Sequence, residues 1–192
     1  MRPAVVYYSY TGKTKSVAIE LASQLGADLI EASCPAYDGL FGKLRQAWDV
    51  ISRGHPPIRL EPMLDARDLI VVGAPVWGAK AAPPVLSMLL RIRGKSGRIA
   101  LFVTCDGSVP TSPPEPALDE MERATGCRVL TKQVFRKKEL KSEDRGELIL
   151  EFADDLKFRM SVVTPIRPQP VAVGRSSVER ANLATPRPSG TQ

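Results

Sequence analysis

A doubly wound α/β domain is the fold class the sequence predicts, on two observations. Five apolar runs, at residues 4–9, 27–33, 69–73, 99–104 and 128–135, alternate with five amphipathic stretches, at 13–25, 40–52, 83–92, 116–125 and 143–158. Strands and helices taking turns in this way put helices on both faces of one sheet, three layers in all. The runs are also rich in Val, Ile and Leu without polar alternation, which is the pattern of strands buried on both faces of a parallel sheet.

Each element has a local cause. The first run ends in Tyr8-Ser9 and leads into a helix whose apolar positions recur from Val17 to Leu25. Gly26 stands where a C-cap glycine would stop that helix. In the second helix Phe41 and Trp48 fall on one face and, with Tyr37, are expected to pack into the core. Residues 53–65 contain prolines without a clear period and read as a connection. Pro83 and Pro116 suit first-turn positions, where a missing N–H does no harm. After the fifth strand, Arg136-Lys137-Lys138-Glu139-Leu140-Lys141 reads as a solvated charged turn. Residues 1–160 are the predicted domain. Residues 161–192 are rich in Pro, Ser, Thr and Arg, bury too little apolar area to offset their ordering entropy, and are expected to form a disordered tail.

Composition excludes several classes of function. No stretch has the length and apolarity of a membrane span, and a core strand begins within a few residues of Met1, leaving no room for a cleavable signal. A cytoplasmic protein without a membrane partner is therefore expected. Cys34, Cys105 and Cys127 have no paired spacing and are expected to be reduced. The single histidine, His55, lies in a Gly-His-Pro-Pro loop, which argues against a zinc site or a histidine-based catalytic pair. Of the net charge of +6, half lies beyond Met160, where four arginines face one glutamate. The domain itself is mildly basic, which is weak evidence for nucleic acid and fits a preference for an acidic partner surface equally well; no nucleic-acid partner is expected.

In a doubly wound sheet the ligand lies at the carboxyl ends of the strands, where the winding reverses. Three post-strand loops stand there. The first is Ser9-Tyr10-Thr11-Gly12-Lys13-Thr14, the second runs from Gly73 through Pro75-Val76-Trp77-Gly78 to Lys80, and the third is Thr104-Cys105-Asp106-Gly107-Ser108. The first is built to hold a phosphate, with hydroxyls, one glycine and the unpaired amides of a helix start. Spacing removes some phosphates. A nucleoside-triphosphate loop needs a glycine at the position of Tyr7, and a dinucleotide loop needs two more glycines than Gly12. There is no thiol for a cysteine phosphatase, and no acidic pair after the first strand for a phosphoacceptor domain. A small phosphomonoester remains.

Here the chain resembles a known family. Ser9 to Thr14 is similar to the phosphate loop of flavodoxins, and Gly73-x-Pro75-x-Trp77-Gly78 followed by Pro83-Pro84 is similar to their second flavin loop. The resemblance covers residues 1–160. It implies a sheet order of 2-1-3-4-5 and noncovalent FMN, with Ser9, Tyr10, Thr11, Gly12, Lys13 and Thr14 around its phosphate. It also implies that Pro75, Val76, Trp77 and Gly78 line one side of the flavin ring, with Trp77 stacked on it, and that Thr104, Cys105, Asp106 and Gly107 line the other. The third loop departs from the family by carrying no aromatic, so one flavin face is expected to be open. Asp106 then either lowers the flavin potential by its charge or caps a turn with Gly107. The function implied is electron transfer to a redox partner protein by a monomer or homodimer. An NAD(P)H-dependent quinone or FMN reductase is the enzymatic alternative, and a non-redox interaction module the third.

Overall fold

The computed structural model describes residues 2–39, 41–52, 54–107 and 113–162. The chain runs β1 (Pro3–Tyr8), α1 (Lys13–Leu25), β2 (Asp28–Ser33), α2 (Gly42–Ser52), β3 (Arg59–Glu61), β4 (Leu69–Trp77), β5 (Lys80–Ala81), α3 (Pro83–Ile92), β6 (Ile99–Cys105), α4 (Glu115–Thr125), β7 (Lys132–Arg136) and α5 (Arg145–Val162). The sheet order is β3-β2-β1-β4-β6-β7, with β5 added to β4. Neighbours are parallel except for β3 on β2 and β5 on β4. Without those two short strands the order is the expected 2-1-3-4-5.

The layers follow from side-chain alternation. In β1, Val5 and Tyr7 enter a core cluster with α1 and α5, whereas Ala4, Val6 and Tyr8 enter a second cluster with α3 and α4. Every residue from Ala4 to Tyr8 and from Leu69 to Ala74 is buried, which explains why these strands read as unbroken apolar runs. Gly26 does end α1, in the left-handed conformation, with its N–H and that of Ala27 returning to the last turn. Pro83 opens α3, and Pro116 is the second residue of α4.

The structure corrects the sequence reading at four places. Among the described residues the sheet has seven strands rather than five. Residues 53–65 include β3, a three-residue edge strand too short to show a period. Strand β4 runs to Trp77, four residues past the expected end, so most of the second loop is strand. Phe41 and Trp48 are exposed, not core, while Tyr37 is buried. The reason lies at Gly42, where a Cβ would collide with the carbonyl oxygen of Tyr37, so this side of α2 faces the domain. His55 is exposed, as expected of a loop. Of the predicted tail, only Ser161 and Val162 are among the described residues, as the last turn of α5. Among the described residues no helix is long and apolar enough to cross a membrane.

Candidate functional site

The winding reverses between β1 and β4, and the ends of β1, β4 and β6 lie side by side there. Tyr7 is in register with Gly73, and Pro75 with Thr104. All three predicted loops therefore meet at one edge of the sheet.

The first loop is short because Gly12, with φ of +84°, turns the chain directly into α1. A Cβ there would meet nothing within 4 Å, so conformation, not space, requires glycine. The first bond of the helix is Ser16 N–H to Gly12 O at 2.9 Å, which leaves the amides of Lys13, Thr14 and Lys15 without an intrahelical acceptor. Ser9 Oγ, at the end of β1, is buried and has no hydrogen-bond partner. Tyr10, Thr11 and Gly12 are exposed around this opening. Thr14 is buried, and its hydroxyl pairs with that of Thr104 at 2.8 Å, tying the start of α1 to the end of β6. Lys15 turns away to Glu31 at 2.9 Å, and Glu31 also accepts from the Tyr7 hydroxyl.

Lys13 reaches the third loop, where its ammonium pairs with Asp106; Lys137 lies 3.9 Å from the same carboxylate. The hydrogen bond from Lys13, with the charges of Lys13 and Lys137, holds the Asp106 carboxyl below the usual range. The sign follows. The pair is present above the ordinary carboxylate range and is lost as pH falls through the lowered value. In a carbon-detected NMR titration, Asp106 is expected to protonate at lower pH than an unpaired aspartate, and Lys13→Met to move that midpoint up. Both side chains are largely exposed, so the effect on stability is small. Cys105 ends β6 half-buried, and burial pushes its thiol up. Gly107 follows with φ of +65°; Ser108 lies outside the described residues. The three cysteines are unpaired.

The second loop is a β-hairpin. Trp77 pairs with Lys80 and Val76 with Ala81 across Gly78-Ala79, both at positive φ (56° and 60°). Two left-handed residues make the tight turn whose twist matches the strands. Gly78→Ala is expected to lower stability by about 1 kcal/mol from the left-handed conformation alone, since its Cβ would meet nothing within 4 Å. Ala79→Gly should recover a comparable amount, and urea unfolding measures both. Pro75, Val76 and Trp77 are half-buried along the hairpin. The Trp77 ring is held edge-on by Tyr8 at 6.0 Å and by Tyr10 at 5.7 Å, with Tyr37 tilted against it at 6.4 Å. Burial holds the Tyr8 and Tyr37 phenols well above their usual range, so both are neutral at physiological pH.

Sequence reasoning missed Tyr8 and Tyr37 as supports of Trp77. Tyr8 sits on the β1 face that points toward Trp77, which strand alternation could have indicated. Nothing local connects Tyr37 to Trp77, or Thr14 to Thr104.

A parallel sheet of this order, with a hydroxyl-lined helix start and an aromatic hairpin at its switch point, defines the flavodoxin-like fold. Solved structures share it, among them the following three. The chain superposes on a flavoprotein from Lactobacillus acidophilus NCFM in complex with FMN with a TM-score of 0.58 and 22% identity, over 72% of this chain and 95% of that one. Oxidised flavodoxin 1 from Bacillus cereus gives 0.52 and 15%, over 85% and 100%. The flavodoxin, WrbA-like protein from Agrobacterium tumefaciens gives 0.50 and 14%, over 83% and 98%. No family model matches the chain, and no curated protein does.

Proposed function

We propose that this chain binds FMN noncovalently and passes electrons to a protein partner. The observation that carries the reading is Ser9 Oγ, a buried hydroxyl left without a partner in the loop that leads into α1, whose first amides lack an intrahelical acceptor. A buried polar atom without a partner is rare and costly, and a phosphate oxygen would satisfy it. The likeness to a flavoprotein crystallised with FMN supports the same ligand.

FMN, when bound, supplies one- and two-electron redox chemistry. The protein's own residues bind and orient. Ser9 and the amides of Lys13 and Thr14 hold the phosphate, and Gly12 keeps side chains away from it. The hydroxyl of Thr14 is engaged with Thr104, so its part is to fix the first loop against the third. Trp77, braced by three tyrosines, presents an apolar plane that excludes water from one side of the ring. Asp106 places a carboxylate on the opposite rim, partly neutralised by Lys13 and Lys137. With Lys137 beside it, and Lys138 and Lys141 following within four residues of chain, that rim suits an acidic partner.

Titration of the purified protein with FMN, read by flavin fluorescence, tests the reading; unchanged fluorescence would reject it. The absence of an aromatic between Thr104 and Gly107 supports a second reading, a reductase that takes hydride from NAD(P)H at an open flavin face. Rapid NADPH oxidation by protein, FMN and a quinone, with no separate reductase added, would favour that reading over the carrier.

A further inference from the structure

Helix α2 carries its large apolar side chains on the wrong side for a monomer. Phe41, just before its first residue, and Leu44, Trp48 and Ile51 within it are 76%, 73%, 66% and 76% exposed. The residues of this helix that are buried are Gly42 and Asp49, with Gln46 and Val50 half-buried. At about 100° per residue the apolar stripe is centred nearly opposite Gly42, Gln46 and Asp49. The rotation is pinned, because any side chain at position 42 would collide with the Tyr37 carbonyl. Asp49 is in turn held on the inner side, 3.6 Å from Arg45, with its side chain 7% exposed. The helix thus turns a carboxylate, an amide and one small aliphatic chain, Val50, toward the domain, and two aromatic rings and two larger aliphatic chains toward water, against the ordinary order of burial.

From these positions we infer that the stripe is the contact face of a homodimer, in which α2 packs antiparallel against α2 of a second copy. Two features of the stripe select a second copy over other occupants. The spacing 41, 44, 48, 51 alternates steps of three and four, the seam of a helix pair packed knobs-into-holes. The stripe is also self-complementary about its middle: a two-fold axis there sets Phe41 against Ile51 and Leu44 against Trp48, a large ring facing an aliphatic chain in every layer. The residues flanking that axis fit a close approach. Ala47, on one side, is small and uncharged. Arg45, on the other, has its charge balanced within its own copy by Asp49. The area is of the right size as well. The four side chains expose on the order of 600 Å², at the top of the range for the largest patch on a monomer and close to the roughly 800 Å² per partner of a standard interface.

The position matters for the site too. Phe41 lies four residues beyond Tyr37, and Tyr37 braces Trp77, so only a short stretch of chain links the proposed dimer face to the aromatic hairpin.

Sedimentation equilibrium of the full chain from about 1 to 100 μM is the test. A dimer is expected, and Leu44→Glu is expected to give a monomer with an unchanged far-UV circular dichroism spectrum and melting temperature at low concentration. In a Cys127→Ser background, Leu44→Cys/Trp48→Cys should form a covalent dimer on mild oxidation, and neither single cysteine should do so efficiently. A wild-type chain that stays monomeric overturns the inference, whether the stripe is then covered by residues 163–192 or by a different protein. So does a Leu44→Glu chain that remains dimeric. A Leu44→Glu chain that fails to fold also counts against it, because the stripe would then belong to the monomer's own core.

Discussion

Gly73→Ala is expected to destabilise the domain by about 3 kcal/mol, the upper end for overpacking a buried site. Gly73 sits in the middle of β4, in register with Phe102 on β6. A Cβ there would lie 2.6 Å from Cε1 and 2.9 Å from Cε2 of the Phe102 ring, and closer still to Cζ. The ring has nowhere to go. It packs edge-on against Phe135 at 5.9 Å, and Phe135 packs in the same way against Phe152 at 6.0 Å, so displacing it displaces the layer that seats α5. Urea unfolding monitored by circular dichroism measures the loss. If the collision is the cause, Gly73→Ala/Phe102→Leu will be more stable than the two single losses added together, because each substitution removes the other's penalty. Simple additivity would show instead that Gly73 matters for backbone conformation. The consequence reaches the site, since the strand that Gly73 anchors is the one that carries Trp77.

Ser9→Ala is expected to weaken FMN binding about tenfold to a hundredfold, as loss of a hydrogen bond to a charged group does. Riboflavin, which has the ring without the phosphate, should bind both proteins equally. The unliganded variant should melt no lower than the wild type. Its missing hydroxyl has no partner in the unliganded structure, and removing an unsatisfied buried polar atom does not destabilise. These three measurements separate a phosphate ligand from a structural serine. A structural role would lower the melting temperature and leave the preference for FMN over riboflavin intact.

Much of the candidate site's local geometry was legible because its parts are close in sequence. Ser9, Gly12 and the start of α1 lie within one loop, and the chemistry of that loop is its own. Trp77 was legible as a special aromatic, although the segment holding it proved to be a strand-and-turn with two left-handed residues and not an open loop. Lys13 illustrates the opposite case. Its neighbours in sequence suggest a phosphate contact, yet its charge is drawn to Asp106, 93 residues away. The hydroxyl of Thr14 is engaged with Thr104 across 90 residues. Neither pairing leaves a local signal.

Periodicity and apolar runs determined the strands, the helices and the doubly wound class, because burial on one or two faces imprints a pattern on successive residues. Turn and cap chemistry determined where α1 starts and stops, because Gly12 and Gly26 meet conformational demands made within one turn of chain. Tertiary structure alone decided the rest. The three residues of β3 are a strand only because the edge of β2 accepts them, and β4 continues to Trp77 only because β5 and β6 pair with its end. The direction in which α2 faces was decided by one backbone contact, Gly42 against Tyr37, which outweighed the helix's own amphipathic pattern. A periodic pattern states that a helix has an apolar side; the closest steric contact decides what that side meets.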